Sequence, residues 1–76
     1  MNKKRRSEVE SVIKEIYSIS SNIESILFDE DSSRDSIPEN LMSSESYEKS
    51  EECSDSLESA MDSLSDAIDY LNEVIV

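Results

Sequence analysis

The chain is 76 residues long and carries a net charge of -12, with one cysteine, one proline, no histidine and no glycine. A chain of this size buries only about 60% of its unfolded surface and rarely stands without a staple. A lone Cys53 excludes an internal disulfide and the missing histidines exclude a Cys/His zinc site, so self-association is the expected staple. The lack of glycine argues against tightly turned sheets and phosphate-cradling loops, which leaves an all-α chain as the simplest reading.

Residues 1–6 form a basic head: Lys3, Lys4, Arg5 and Arg6 hold four of the seven cations, so the chain from Ser7 onward carries -16. Duplex DNA binding across such a body is not expected, because affinity there rests on neutralising phosphates. No apolar run is long enough to span a bilayer and no signal-peptide core follows the head, so no membrane association and a cytoplasmic location are expected. Cations ahead of a helix start oppose the helix dipole, which gives the head a motive to seek carboxylates or phosphates.

Ser7-x-x-Glu10 reads as a capping box, and helix 1 is expected over residues 7–28. Its seam is Val9, Val12, Ile16, Ile19, Ile23 and Ile26, at alternating steps of three and four, with Ile13, Tyr17, Leu27 and Phe28 widening the stripe. In parallel coiled coils Ile at both seam positions favours trimers or tetramers over dimers, and two hairpins forming four helices would satisfy the same preference. Residues 29–37 read as the connecting loop, since Asp29 to Ser36 holds no apolar side chain.

Helix 2 is expected over residues 38–76. Pro38 suits a first helical position, and a break near residues 42–44 with Ser43 or Ser44 as a second cap stays open beside one continuous helix. Its last three heptads are regular: Leu57, Leu64 and Leu71 recur at the second place, Ala60, Ala67 and Val74 at the fifth, and Met61, Ile68 and Ile75 at the sixth. Three apolar places per heptad make a stripe wider than a two-helix seam needs. Val9–Leu27 and Leu57–Ile75 each span about 27 Å at about 1.5 Å per residue, which makes them the natural antiparallel pair. The stretch between is expected to project, with Ser50, Cys53 and Ser54 at the places that apolar residues fill one repeat later.

Candidate sites follow from this pattern. Asp55, Glu58, Asp62, Asp66, Asp69 and Glu73 run down one side of helix 2, either as a solvated bundle face or as an imitation of a phosphate row that occupies a basic site. Ile37, Pro38, Glu39, Asn40, Leu41 and Tyr47 lie outside the heptads and form the least generic patch. Lys3, Lys4, Arg5 and Arg6 are read three ways: neutralised by helix 2, gathered around an anionic nucleotide or another phosphate ligand, or a loose tail touching nucleic acid. No metal site, cofactor or catalytic residue is expected: no Gly-turned calcium loop exists, and no serine has an identifiable base or oxyanion donor. Cys53, with no His or obvious base, reads as a small half-buried residue, with an intermolecular disulfide or a reactive thiol as the alternative.

The segment Ile37-Pro38-Glu39-Asn40-Leu41, then Ser44, then Tyr47-Glu48 and the Leu and Ala repeats, resembles small acidic helical proteins of Gram-positive bacteria and their phages. The resemblance implies a mobile-element origin, with the host cytoplasm as the location, and it brings no activity and no functional residues. The expected architecture is an antiparallel helical hairpin or coiled coil that self-associates, as a dimer or tetramer, into a four-helix or larger bundle. The expected function is binding without catalysis: a phage-type inhibitor docking on a basic site of a host defence or nucleic-acid-handling protein. Two alternatives stay open, an oligomer sequestering an anionic nucleotide through the basic head and a structural or assembly coiled-coil module.

Overall fold

In the computed structural model, which describes Met1 to Val76, the chain is an all-α hairpin: α1 (Lys3–Asp35), a 3-10 turn (Glu39–Leu41) and α2 (Glu45–Ile75), with no strand. Two helices side by side make a rod of 59 × 15 × 13 Å. Its radius of gyration of 17.4 Å far exceeds the about 11 Å of a compact domain this long, so no side chain sits deep. Only Ile13, Ser54 and Ile68 are buried.

α1 begins a turn and a half before the expected capping box at Ser7. Asn2 holds extended backbone and its Oδ1 accepts the Arg5 amide at 2.8 Å, satisfying one of the orphan donors of the first turn. The whole basic head is therefore helical. At the other end α1 runs on through residues 29–35, expected as loop. Nothing in Asp29 to Asp35 breaks a helix, and Asp31 and Arg34 form an i, i+3 ion pair at 2.7 Å. Pro38 stops it, because the residue before a proline is pushed out of helical backbone.

Helix 2 does not start at residue 38: Glu39–Leu41 is a separate 3-10 turn and α2 begins at Glu45. Ser44 is extended, its Oγ accepts the Tyr47 amide at 3.2 Å, and Glu45 and Glu48 face the positive end of the new helix. The expected projecting segment is thus paired rather than projecting. Ser54 meets Asp31 across the seam, so residues 29–35 lie beside residues 50–56.

That contact fixes the register. Val76 lies 22 residues beyond Ser54, and 22 residues back from Asp31 is Val9, so Val9–Leu27 and Leu57–Ile75 are opposite each other as their matched lengths require. The seam of α1 differs from the expected one. It runs through Val9, Ile13, Ile16, Ser20, Ile23 and Leu27 against Leu57, Met61, Leu64, Ile68, Leu71 and Ile75. Val12, Ile19 and Ile26 stand beside it, 43%, 47% and 55% exposed. Both rows alternate three and four, so periodicity does not choose between them. The choice follows from where each row ends: steps of seven from Ile13 reach Arg34, which meets Ser50 and Ser54, whereas steps of seven from Val12 reach Ser33, which cannot span the gap. On α2 the bulkier Leu, Met and Ile places take the seam, while Ala60 and Val74 are left exposed and Ala67 half-buried.

Candidate functional site

The closed end of the hairpin is held by a polar cluster. Arg34 reaches across from α1, and its Nη1 donates to Ser54 Oγ at 2.8 Å and Ser50 Oγ at 3.1 Å. Its Nη2 donates to Asp31 Oδ1 at 2.7 Å, and Ser54 Oγ donates to the same oxygen at 2.6 Å. The Ser54 hydrogen bond holds the Asp31 carboxyl below its ordinary value, with partial burial opposing and Arg34 assisting. Partial burial acts to lower the Arg34 pKa, but Asp31 outweighs it and the guanidinium is raised. No buried side-chain polar atom is left without a partner. These bonds run from residues 31 and 34 of α1 to residues 50 and 54 of α2, so the cluster joins the two helices.

Arg34 and Asp31 are the residues that the sequence pattern hid by placing them in a loop. A signal existed: Arg34 is the one cation between Lys14 and Lys49, it follows Leu27 by a heptad, and Ser50 and Ser54 call for a polar neighbour.

The six carboxylates Asp55, Glu58, Asp62, Asp66, Asp69 and Glu73 are all exposed along α2 and none enters an ion pair. From Ser50 to Val76 there is no lysine or arginine to offset them. No cluster of three or more carboxylate or thiol groups is placed to hold a metal ion.

The basic head is not neutralised by helix 2. The two ion pairs are Arg34–Asp31 and Lys49–Glu45, and neither involves Lys3, Lys4, Arg5 or Arg6. By the register, residues 3–8 have no stretch of α2 opposite them, which carries the head away from Asp66 and Asp69. The four cations remain exposed on the first turn of α1.

The patch Ile37, Pro38, Glu39, Asn40, Leu41 and Tyr47 forms the connection at the closed end. Ile37 and Tyr47 are half-buried against the helix ends, while Leu41 and Met42 are exposed. Cys53 is exposed rather than packed. It edges a shallow groove of about 730 Å³ that includes Ile26, Leu57, Glu30, Glu52 and Lys49. No helix is long and apolar enough to cross a membrane.

Compared with known proteins, the chain matches no family model, no curated protein and no solved structure.

Proposed function

We propose that the chain is a non-catalytic acidic binding protein that presents the outer face of α2 to a basic site on another protein, in the manner of a phage-type inhibitor of a host defence or nucleic-acid-handling protein. The observation that carries this reading is the uncompensated row from Asp55 to Glu73: six exposed carboxylates over about 27 Å, with no cation on that stretch. One charge per roughly 5 Å is sparser than the about 3.4 Å spacing along one nucleic-acid strand, yet it is a straight, rigid line of one sign. Such a line steers a basic partner and competes with phosphates for its site. The phage assignment rests on the resemblance of the Ile37 to Glu48 segment alone.

The test is competition. Nucleic-acid-binding proteins captured from a bacterial lysate are assayed for DNA binding with the chain present and with the triple variant Asp55→Asn, Asp62→Asn, Asp69→Asn. Loss of DNA binding with the parent chain, relieved by the variant and by salt, supports the reading. Unchanged DNA binding by every captured protein removes it.

Sequestration of an anionic nucleotide is the second reading, favoured by the four unpaired cations in the first turn of α1. Calorimetry with a nucleotide panel decides it: no heat, or heat that survives replacement of Lys3, Lys4, Arg5 and Arg6 by Gln, excludes the ligand.

A further inference from the structure

Each side of the hairpin seam carries a flanking row, and the two sides are unlike. On one side stand Glu10, Tyr17 and Glu24 of α1 with Glu51 and Glu58 of α2. On the other stand Val12, Ile19 and Ile26 of α1 with Cys53, Ala60, Ala67 and Val74 of α2, each row at steps of seven. The groove that joins Ile26 to Cys53 and Leu57 shows that these two rows share one face of the rod. The acidic Asp55, Asp62 and Asp69 lie at a heptad place on the far side of α2, so this face is uncharged along its middle.

We propose that this face pairs with a second copy of the chain, the two rods antiparallel, to form a four-helix bundle.

Area supports a second copy. The accessible surface of 5768 Å² exceeds by about 1,100 Å² the roughly 4,700 Å² of a compact monomer of 8.6 kDa, and one side of a stable interface buries about 800 Å². The geometry is self-complementary as well. Ile19 is the centre of the α1 row, and Ala67 is the third of the four residues in the α2 row. The Asp31–Ser54 register puts Ile19 level with Asp66, beside Ala67, and a twofold axis at that height makes the Ile row face itself. The same axis sets α1 over α1 and α2 over α2, so each layer of the bundle combines the bulky Ile row with the small Ala60 and Ala67 row.

Charge selects the direction. Residues 29–55 hold ten carboxylates against Arg34 and Lys49, a net of -8, whereas the open end (residues 1–15 and 62–76) sets five cations, four of them Lys3 to Arg6, against seven carboxylates, a net of -2. A parallel pair would stack the acidic ends on each other. The antiparallel pair sets head against acidic end, and it does so residue by residue. Arg5 begins the same row as Val12, 14 residues before Ile19; Ser33 lies 14 residues after it, and the register sets Glu52 level with Ser33. Arg5 of one copy is therefore level with Ser33 on α1 of the other, one turn from Glu30 at the edge of the groove. This gives the unpaired head carboxylate partners without any contact to its own α2.

Light scattering on the full chain is expected to show a concentration-dependent species of twice 8.6 kDa. Cys53, the single exposed cysteine, reads the direction. With its mass confirmed after labelling, a spin label there lies about 20 Å from the axis, so two labels are about 40 Å apart in the antiparallel pair and under about 20 Å apart in a parallel one. Ile19→Glu is expected to weaken pairing at least 100-fold with helicity retained. Arg5→Glu and Glu30→Arg each weaken it, and together restore it, which separates pairing from any folding defect. A mass that stays at 8.6 kDa up to millimolar concentration, a label distance under about 20 Å, or an assembly indifferent to Ile19→Glu overturns the proposal. The outer acidic row takes no part in the pairing, so failure here leaves the competition test on α2 separate.

Discussion

The two halves of the hairpin are joined by different physics. Between Val9–Leu27 and Leu57–Ile75 the helices meet through apolar side chains, and the seam is continuous except at Ser20. Between residues 29–35 and 50–56 they meet through one guanidinium, one carboxylate and two hydroxyls, with Ser54 buried at 5% exposure. The apolar half gains from every contact added and has no fixed stoichiometry. The polar half works only when each donor finds its acceptor, and so it fixes rotation and register more sharply than it adds stability.

The largest effects are expected in the apolar half. Ile68→Ala and Ile13→Ala each empty one of the two buried apolar positions and cost about 3 kcal/mol. At fixed protein concentration that is a fall of more than about 10 °C in Tm by circular dichroism. A fall under about 3 °C would mean that the apolar half does not carry the fold.

Next comes the polar half. Ser54→Ala removes a buried hydroxyl that both accepts from Arg34 and donates to Asp31, a loss of about 1 kcal/mol. Arg34→Ala strips the shared donor from Ser50, Ser54 and Asp31 together, and the damage is expected to stay local. Amide exchange should quicken over residues 29–54 while residues 9–23 keep their protection. Uniform quickening over both regions would erase the distinction between the halves. The triple change Asp31→Ala, Arg34→Leu, Ser54→Ala is expected to recover most of the stability but to allow register slippage, since an apolar replacement satisfies itself at any rotation.

This contrast explains what could be read from the residues in order. Apolar periodicity is a one-dimensional signal, so the hairpin and its matched lengths were legible, while the residues from Pro38 to Ser44 left a continuous helix and a broken one equally open. Which of two equally spaced rows on α1 faces α2 was not, because Val12, Ile19 and Ile26 satisfy the same spacing as Ile13, Ser20 and Leu27. A polar cluster has no period at all: Asp31 and Arg34 look like loop until their partners 20 and 23 residues away are known. The exposed acidic row was legible because spacing alone puts it on one side, whereas the isolation of the basic head depends on a register that only the cluster sets.

A smaller effect belongs to the join between the halves and the connection. Ser44→Ala removes the side chain that accepts the Tyr47 amide, at a cost of about 1 kcal/mol, and should fray the first turn of α2 without touching Leu57–Ile75. Ser44→Asp should hold or improve on the parent, because a carboxylate there also meets the positive end of the helix. If Ser44→Asp frays as Ser44→Ala does, Ser44 is not the cap.

The smallest effect is a titration. Asp31 is held below its ordinary value near 3.8, so its contribution is fully present above that value and is lost as pH falls through the lower folded value. Acid also relieves the self-repulsion of a chain at -12, which acts in the opposite sense across the same range, so the absolute Tm is a poor guide. The difference between the parent chain and Asp31→Asn removes that common background. Asn keeps an acceptor for Arg34 and Ser54 but not the charge, so the parent should be the more stable at pH 6 and the advantage should shrink steadily below about pH 4. A gap that stays constant down to pH 2 would assign the join to hydrogen-bond geometry alone, and the charge on Asp31 would then have no part in holding the closed end.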